Sequence, residues 1–209
     1  MPRGKKWIPI GSIPFVLETL ANEGDKVTPL NVPDILSNRA FTKRNLYKDK
    51  SLAELCQLPR PFFMKERLVY KGVTDIIEEG DSLSDYPPTR YDASEVVEIT
   101  SEWRVFVHQD SIVGAKPYGG EKIIPMMPDE STLSKMVSTI ENYRLHGGHY
   151  PLSYTLDVAV NEKDGTFLIE SHPFISCGLY GFSDYQRLPA MMIQGYRFLE
   201  QQTRLGAID

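Results

Sequence analysis

The stretch YTLDVAVNEKDGTFLIESHPF runs from Tyr154 to Phe174. Its halves, Tyr154–Val160 and Thr166–Ser171, are apolar and rich in strand formers. Asn161-Glu162-Lys163-Asp164-Gly165 between them is a turn, so the sequence predicts a β-hairpin. Each arm holds one carboxylate among apolar neighbours: Asp157 in Leu156-Asp157-Val158 and Glu170 in Ile169-Glu170-Ser171. If the turn takes residues 162–165, Asn161 faces Thr166, and the same register sets Asp157 opposite Glu170. Directly opposed side chains lie roughly 4.5–5.5 Å apart at Cβ. Two like charges there repel unless a cation lies between them, and Mg2+ takes carboxylates together with phosphate oxygens. His172 follows on the Glu170 face as a third group. A register shifted by one residue, with one carboxylate in solvent, stays open at this point.

Upstream, Glu102-Trp103-Arg104-Val105-Phe106-Val107-His108 alternates like a strand. Trp103, Val105 and Val107 share one face; Glu102, Arg104, Phe106 and His108 share the other. An arginine at the centre of so apolar a strand needs an anion. That anion is either a phosphate or a buried partner, Glu102 or Glu170. Ile112–Lys116 returns from it through the turn Gln109-Asp110. Two further strands, Phe62–Lys65 and Val73–Ile77, join through Lys71-Gly72. Lys65 and Lys71 are compact point charges suited to phosphate oxygens, whereas arginine can clamp two oxygens. Cations from these strands with two carboxylates would form a metal–triphosphate cradle, and phosphoryl transfer needs little beyond positioning and charge neutralisation. Solvated strand-end lysines are the plainer alternative.

Elsewhere the pattern predicts a short strand Trp7–Ile10, a helix Phe15–Leu20 and a helical turn at Ser51–Leu55. It predicts a loop over Gly80–Asp92 and a strand Glu95–Ile99. The clearest helix is Ser131–Leu145, with Leu133, Met136, Val137, Ile140 and Tyr143 on one stripe, capped by Asp129 or Ser131 and ended by Gly147-Gly148. A last helix lies near Leu188–Gln201. Strands and helices mix without a βαβ rhythm, which predicts an α+β fold.

The chain has 209 residues, a net charge of −5 and a pI of about 5.5. No global field favours nucleic acid or an anionic membrane, so an anion site must be a local cluster. Cys56 and Cys177 stand far apart in no metal spacing, as in a reducing cytosol. No signal peptide or membrane-spanning run is evident, and a cytoplasmic protein is expected. There is no GxxxxGK[ST] loop and no GxGxxG after a strand. Cys177 has no evident base beside it, and His146 and His149 read as loop residues.

Together the blocks FFMKERLVYKGVTDII (Phe62–Ile77), VVEITSEWRVFV (Val96–Val107) and YTLDVAVNEKDGTFLIESHPFISCGLYGF (Tyr154–Phe182) resemble the ATP-grasp superfamily. They are most similar to its clade named for one arginine and two lysines, often phage-encoded. WIPIGSIPFVLETL (Trp7–Leu20) resembles the segment preceding the nucleotide fold. The resemblance implies residues 1–60 as that preceding segment and 61–209 as one nucleotide-binding and catalytic unit, with two α+β lobes whose antiparallel sheets grip ATP. It implies an ATP-dependent carboxylate–amine ligase that forms a C–N bond through an acyl-phosphate and releases ADP. Lys65 and Lys71 match the ATP-contacting lysines. Glu95, Val97 and Glu98 match the hinge strand beside adenine, and Arg104 matches the arginine that meets the γ-phosphate or acyl-phosphate. Lys116 on the returning strand would assist phosphate binding. Asp157 and Glu170 match the Mg2+ carboxylates, with His172 where the family usually has asparagine (Glu-x-Asn). That departure points to a softer metal such as Mn2+, to a turned-away imidazole, or to reduced activity. The glycine-rich lid of many relatives is not evident between Lys65 and Lys71. Gly178-Leu179-Tyr180-Gly181 would line the acceptor side, for a small-molecule or peptide acceptor. The competing reading is a catalytically weak nucleotide-binding module acting as a sensor or partner-binding protein, in the host cytoplasm if phage-encoded. If Arg104 serves anion contact alone, Arg104→Ala should abolish turnover and leave the fold intact.

Overall fold

The computed structural model describes residues 8–22, 24, 27–120 and 124–206, with side chains through 202. Two four-stranded antiparallel sheets organise the chain. The smaller contains β1 (Leu46–Lys50), β2 (Phe62–Glu66), β3 (Thr74–Ile77) and β4 (Tyr91–Glu95), in the order β1-β4-β2-β3. The larger contains β5 (Ser101–His108), β6 (Ser111–Gly120), β7 (Ser153–Asn161) and β8 (Gly165–Pro173), in the order β6-β5-β7-β8. Helices α1 (Ile13–Asn22), α2 (Arg39–Thr42), α3 (Leu52–Leu55), α4 (Glu130–Leu145) and α5 (Leu188–Gly206) surround them. The α+β expectation holds.

The alternation in β5 decides which side of the large sheet is which. Trp103, Val105 and Val107 pack with Leu156, Val158 and Leu168 against Leu133, Met136, Val137 and Ile140 of α4. The opposite face carries Glu102, Arg104 and Phe106. All nine residues of β7 are buried, so both faces of the sheet are covered along that strand. Asp129 caps α4 by accepting from the Thr132 amide, and α3 begins with a Ser51–Glu54 capping box. A second core lies on the small sheet, where Leu55 of α3 meets Phe62, Met64, Ile77 and Tyr91. Val16 and Leu20 of α1 pack on Tyr196, Phe198 and Leu199 of α5.

The β7–β8 ladder begins one residue away from the expected register. Asn161 pairs with Gly165, Val160 with Thr166 and Val158 with Leu168. A bulge then admits Ile169 as an extra residue, and Asp157 pairs with Glu170. The bulge matters because paired residues share a face. Leu168 lies with Val158 against α4; without the extra residue, Glu170 would face α4 as well.

Several boundaries differ from the sequence reading. Ile8–Ile10 form no strand, and Trp7 lies outside the described residues. The strand expected at Glu95–Ile99 is instead Tyr91–Glu95, so Tyr91 and Asp92 are not loop. The reason lies in the partner. β2 pairs with β4 from Glu66↔Tyr91 to Phe62↔Glu95, and Pro61 precedes Phe62. Proline has no amide to continue the ladder, so the apolar residues Val96, Val97 and Ile99 find no strand to join. β1 was not expected; its Leu46 and Tyr47 pair with Ser94 and Ala93. Tyr143, assigned to the apolar stripe of α4, is 41% exposed. Its position at the end of the helix lies beyond the sheet.

Candidate active site

The large sheet sets a row of charged residues across four neighbouring strands. Arg104 of β5 pairs with Lys116 of β6 on one side and Asp157 of β7 on the other, and Asp157 pairs with Glu170 of β8. The register therefore places Lys116 on the same face as Arg104. His172 lies two residues beyond Glu170, opposite Thr155, on that same face.

The side chains converge. The Arg104 guanidinium holds Asp157 with two hydrogen bonds, Nε to Oδ1 at 2.8 Å and Nη2 to Oδ2 at 2.6 Å, and Nη1 donates to the Gly178 carbonyl at 3.3 Å. The buried partner of Arg104 is thus Asp157, neither Glu102 nor Glu170. The directly facing register explains this choice: the next strand offers a carboxylate at the same level. Tyr118 and Tyr180 stack at 4.9 Å, and the guanidinium lies 5.5 and 5.1 Å from their ring centroids. Lys65 reaches from β2 of the small sheet to Glu170 of the large one, Nζ to Oε2 at 2.7 Å. His172 Nε2 lies 3.0 Å from Glu170 Oε1 and 3.6 Å from Asp157 Oδ2.

Burial disfavours the charges of Arg104, Asp157, Glu170 and His172, and the pairing outweighs it. Burial would raise the Asp157 carboxyl, but Arg104 and His172 hold it below the ordinary range. Glu170 is lowered against burial in the same way by His172 and Lys65. His172 shows the converse: burial opposes its charge, yet hydrogen bonds and attraction from Asp157 and Glu170 raise it to about 9. Glu102, on the same face, is raised by burial and by the charges of Asp157 and Glu170.

A residue invisible to the sequence reading supports this arrangement. Arg44, buried after α2, donates Nη1 to the Leu168 carbonyl at 2.8 Å and Nη2 to the Ile169 carbonyl at 3.1 Å. Those carbonyls belong to the bulge that turns Glu170 into the cleft. Nothing local marked Arg44, because its contacts lie 124 and 125 positions away. Tyr118 and Tyr70 were also missed. Tyr70 sits on the β2–β3 turn and its hydroxyl donates to the Thr28 carbonyl at 3.3 Å. That turn carries no glycine-rich lid, but it lies across the cleft.

Two cavities flank the ionic cluster. The first, about 250 Å³, lies between the sheets, with Phe63, Lys65 and Ser94 on one side and Arg44, Ile169 and Glu170 on the other. The second, about 220 Å³, is lined by Arg104, His172, Cys177, Tyr180 and Tyr70. Glu170 and Lys65 face the first, Arg104 and His172 the second, so the cluster is the wall between them.

The donor set Asp157, Glu170 and His172 offers ligand atoms within 4.8 Å of one another. Two carboxylates suit a hard divalent cation, and the imidazole suits a softer one better. The residues present therefore fit a metal.

Of the residues singled out from sequence, Lys65, Arg104, Asp157, Glu170 and His172 come together, with Lys116 on the same row. Lys71 is exposed on the β2–β3 turn and lines neither cavity. Glu95 turns its carboxylate to the Asn45 amide (2.9 Å) and side-chain nitrogen (2.6 Å), and Arg39 lies 3.4 Å away. Val97 is half-buried and Glu98 exposed, its carbonyl accepting from Asn161 at 2.8 Å. These hinge residues are not among those lining the first cavity, whose β4 wall is Asp92, Ala93 and Ser94.

Comparison with known proteins identifies the family of the chain. Residues 41–188 match the family described as an ATP-grasp domain, family 2 of the clade named for one arginine and two lysines. A search of curated proteins gives no match. Among solved structures, the ATP-grasp ligase PsnB complexed with minimal precursor is similar at 14% identity and a TM-score of 0.48, covering 87% of this chain and 60% of that one. A RimK domain protein from Sphaerobacter thermophilus is 13% identical with a TM-score of 0.45, covering 90% and 64%. The N5-carboxyaminoimidazole ribonucleotide synthetase of Thermotoga maritima is 17% identical with a TM-score of 0.44, covering 88% and 49%. The chain thus spans about half to two thirds of the length of these proteins.

Proposed function

We propose a function from one premise: the chain belongs to the ATP-grasp domain family just matched, the second of the arginine-and-two-lysine clade. It is an ATP-dependent ligase that joins a carboxylate to an amine. A carboxylate oxygen attacks the γ-phosphorus, the bond to the β-phosphate oxygen breaks, and ADP leaves. The amine nitrogen then attacks the acyl carbon, phosphate departs, and the amine loses a proton to solvent. One observation carries this reading: the ionic cluster stands between two cavities, one to take the nucleotide and one the carboxylate.

In that arrangement the cavity between the sheets takes the nucleotide, with Lys65 at its phosphate end. Arg104 faces the transferred phosphoryl group from the other side, and Lys116 adds positive charge to the same face. Asp157, Glu170 and His172 would hold the divalent cation, Mg2+ or the softer Mn2+. When bound, it neutralises phosphate charge and holds the triphosphate in line. Asp157 keeps the guanidinium aimed, so the charge is in place before reaction. The acceptor is a small molecule or a peptide. Among the described residues no helix is long and apolar enough to cross a membrane.

The test is calorimetric titration with ATP and Mg2+, followed by ADP release with candidate acids and amines. Metal-dependent ATP binding with acceptor-dependent ADP release is expected. ATP affinity unchanged by divalent cation removes the paired-carboxylate site from the reading. A second reading rests on the imidazole at position 172. Its charged form sits against both carboxylates and competes with a metal, as in a nucleotide-binding sensor that turns over slowly. Saturable metal-dependent binding with no ADP for any acceptor favours that alternative.

A further inference from the structure

The second cavity does not end at the catalytic cluster. It shares Ile175, Ser176, Cys177 and Gly178 with a further cavity of about 240 Å³. The far chamber lies between the N-terminal segment and α5, with Ile8, Ile10, Phe174, Leu179 and Met192 in its walls. The two ends differ in chemistry. The near end presents the Arg104 guanidinium, two of whose five N–H groups hold Asp157, and the His172 imidazole, while the far end is lined mostly by apolar side chains. Taken together they reach the range of roughly 300–1,000 Å³ usual for small-molecule sites.

The segment from Ser176 to Tyr180 that borders these chambers is built with strain. Ser176 holds a φ of +44° and Tyr180 a φ of +46°. That left-handed region is unfavourable for any residue with a side chain. Strain of this kind persists where surrounding structure over-determines it, and clusters at ligand sites. The Ser176 Oγ is buried and has no hydrogen-bond partner among the described residues. A buried hydroxyl left alone is unfavourable, so a polar atom of a bound molecule would satisfy it. The Cys177 thiol beside it is pushed up by burial to about 12, so it stays neutral and acts as part of the apolar wall.

We propose that the joined chambers bind the carboxylate substrate, and that this substrate is a carboxylic acid with an apolar body and one polar link near its middle. The carboxylate lies at Arg104 and His172, facing the nucleotide cavity. The polar link meets Ser176, and the apolar body occupies the chamber beside Met192. Charge complementarity fixes the orientation: the reverse placement buries a carboxylate in hydrocarbon, away from the N–H groups of Arg104 that Asp157 leaves free. This inference rests on the ligase reading above and adds the class of acid that the site selects.

The test is calorimetry on the full chain saturated with a non-hydrolysable ATP analogue and Mg2+. N-octanoylglycine and N-succinylglycine serve as probes, since both carry the carboxylate and the amide link and differ beyond it, in hydrocarbon against a second carboxylate. N-octanoylglycine should bind at least tenfold tighter. Met192→Trp, which fills the far chamber, should weaken N-octanoylglycine at least tenfold, with nucleotide affinity as the control. Should that variant unfold, Ile10→Asp places a charge at the chamber from a residue 60% exposed, and should abolish the preference. Nucleotide binding with equal affinity for the two acids, or a preference that survives both variants, overturns the proposal alone. No nucleotide binding by the native chain overturns the ligase reading and this one with it.

Discussion

Replacing Asp157 with asparagine tests the centre of the site, because it changes one charge and almost no volume. Arg104 is 8% exposed and Asp157 2%, and their two hydrogen bonds are 2.8 and 2.6 Å. Removing one member of a buried ion pair costs about 3–5 kcal/mol, since the other charge stays buried without compensation. Some of that loss is recovered. The asparagine oxygen still accepts from one N–H, the Gly178 carbonyl stays in place, and the rings of Tyr118 and Tyr180 shield the cation. The expected cost is therefore at the lower end, about 3 kcal/mol. For a chain of this size that corresponds to a fall of roughly 6–12 °C in Tm. Urea unfolding gives the free energy directly, provided the slope is unchanged. The double variant Asp157→Asn/Arg104→Met removes both charges and should be more stable than the sum of the single losses by about 1–3 kcal/mol. A single loss under about 1 kcal/mol, or strict additivity, refutes the buried pair. The same reasoning revises the expectation for Arg104→Ala. It strands the Asp157 carboxylate in the core, so it should lower stability as well as turnover.

Arg44→Met should cost about 2–3 kcal/mol in urea unfolding and weaken nucleotide binding, because the bulge carbonyls lose charged donors. Arg44→Lys should not restore either, since an ammonium cannot fork between two carbonyls. Glu95→Gln should lower stability by about 1 kcal/mol through its contacts with Asn45 and Arg39 and leave nucleotide affinity within about twofold, read by calorimetry. The His172 contribution to stability has a definite sign. Its value rises on folding from 6.5 to about 9, so the contribution is complete below about pH 6.5 and fades as pH climbs through about 9. The rise corresponds to on the order of 3 kcal/mol. Unfolding free energies measured from about pH 6 to 8, below the range in which an unfolded thiol ionises, should fall in the native chain and stay nearly flat in His172→Asn. An equal decline in the variant assigns the pH dependence to another group.

What the sequence made legible was local or alternating. The β5 pattern, the α4 stripe and both hairpins follow from side-chain periodicity, which depends only on near neighbours. The pairing of Asp157 with Glu170 was reached through a turn one residue too long, and the bulge at Ile169 supplied the compensating residue. Alternation cannot reveal a bulge, because the extra residue is apolar like its neighbours. The partner of Arg104 was misassigned for a related reason: which carboxylate faces it depends on the β5–β7 register, set across an intervening helix of 16 residues. Arg44 and Tyr70 lay beyond reach because only the folded chain brings them to the site. The strand expected at Glu95–Ile99 was displaced because β4 ends where Pro61 ends its partner, a limit imposed by another strand.

The inserted Ile169 has a consequence for how this chain can vary. Most strand positions tolerate exchange of one apolar residue for another, so Ile169 would pass as interchangeable with valine or leucine. Its number in the count is another matter. Deleting it would invert the facing of every β8 residue on one side of the gap, sending Glu170 and His172 toward the α4 core or turning Leu168 away from it. Descendants of this chain can therefore drift in spelling at that point, while a change in length there removes the chemistry in a single step.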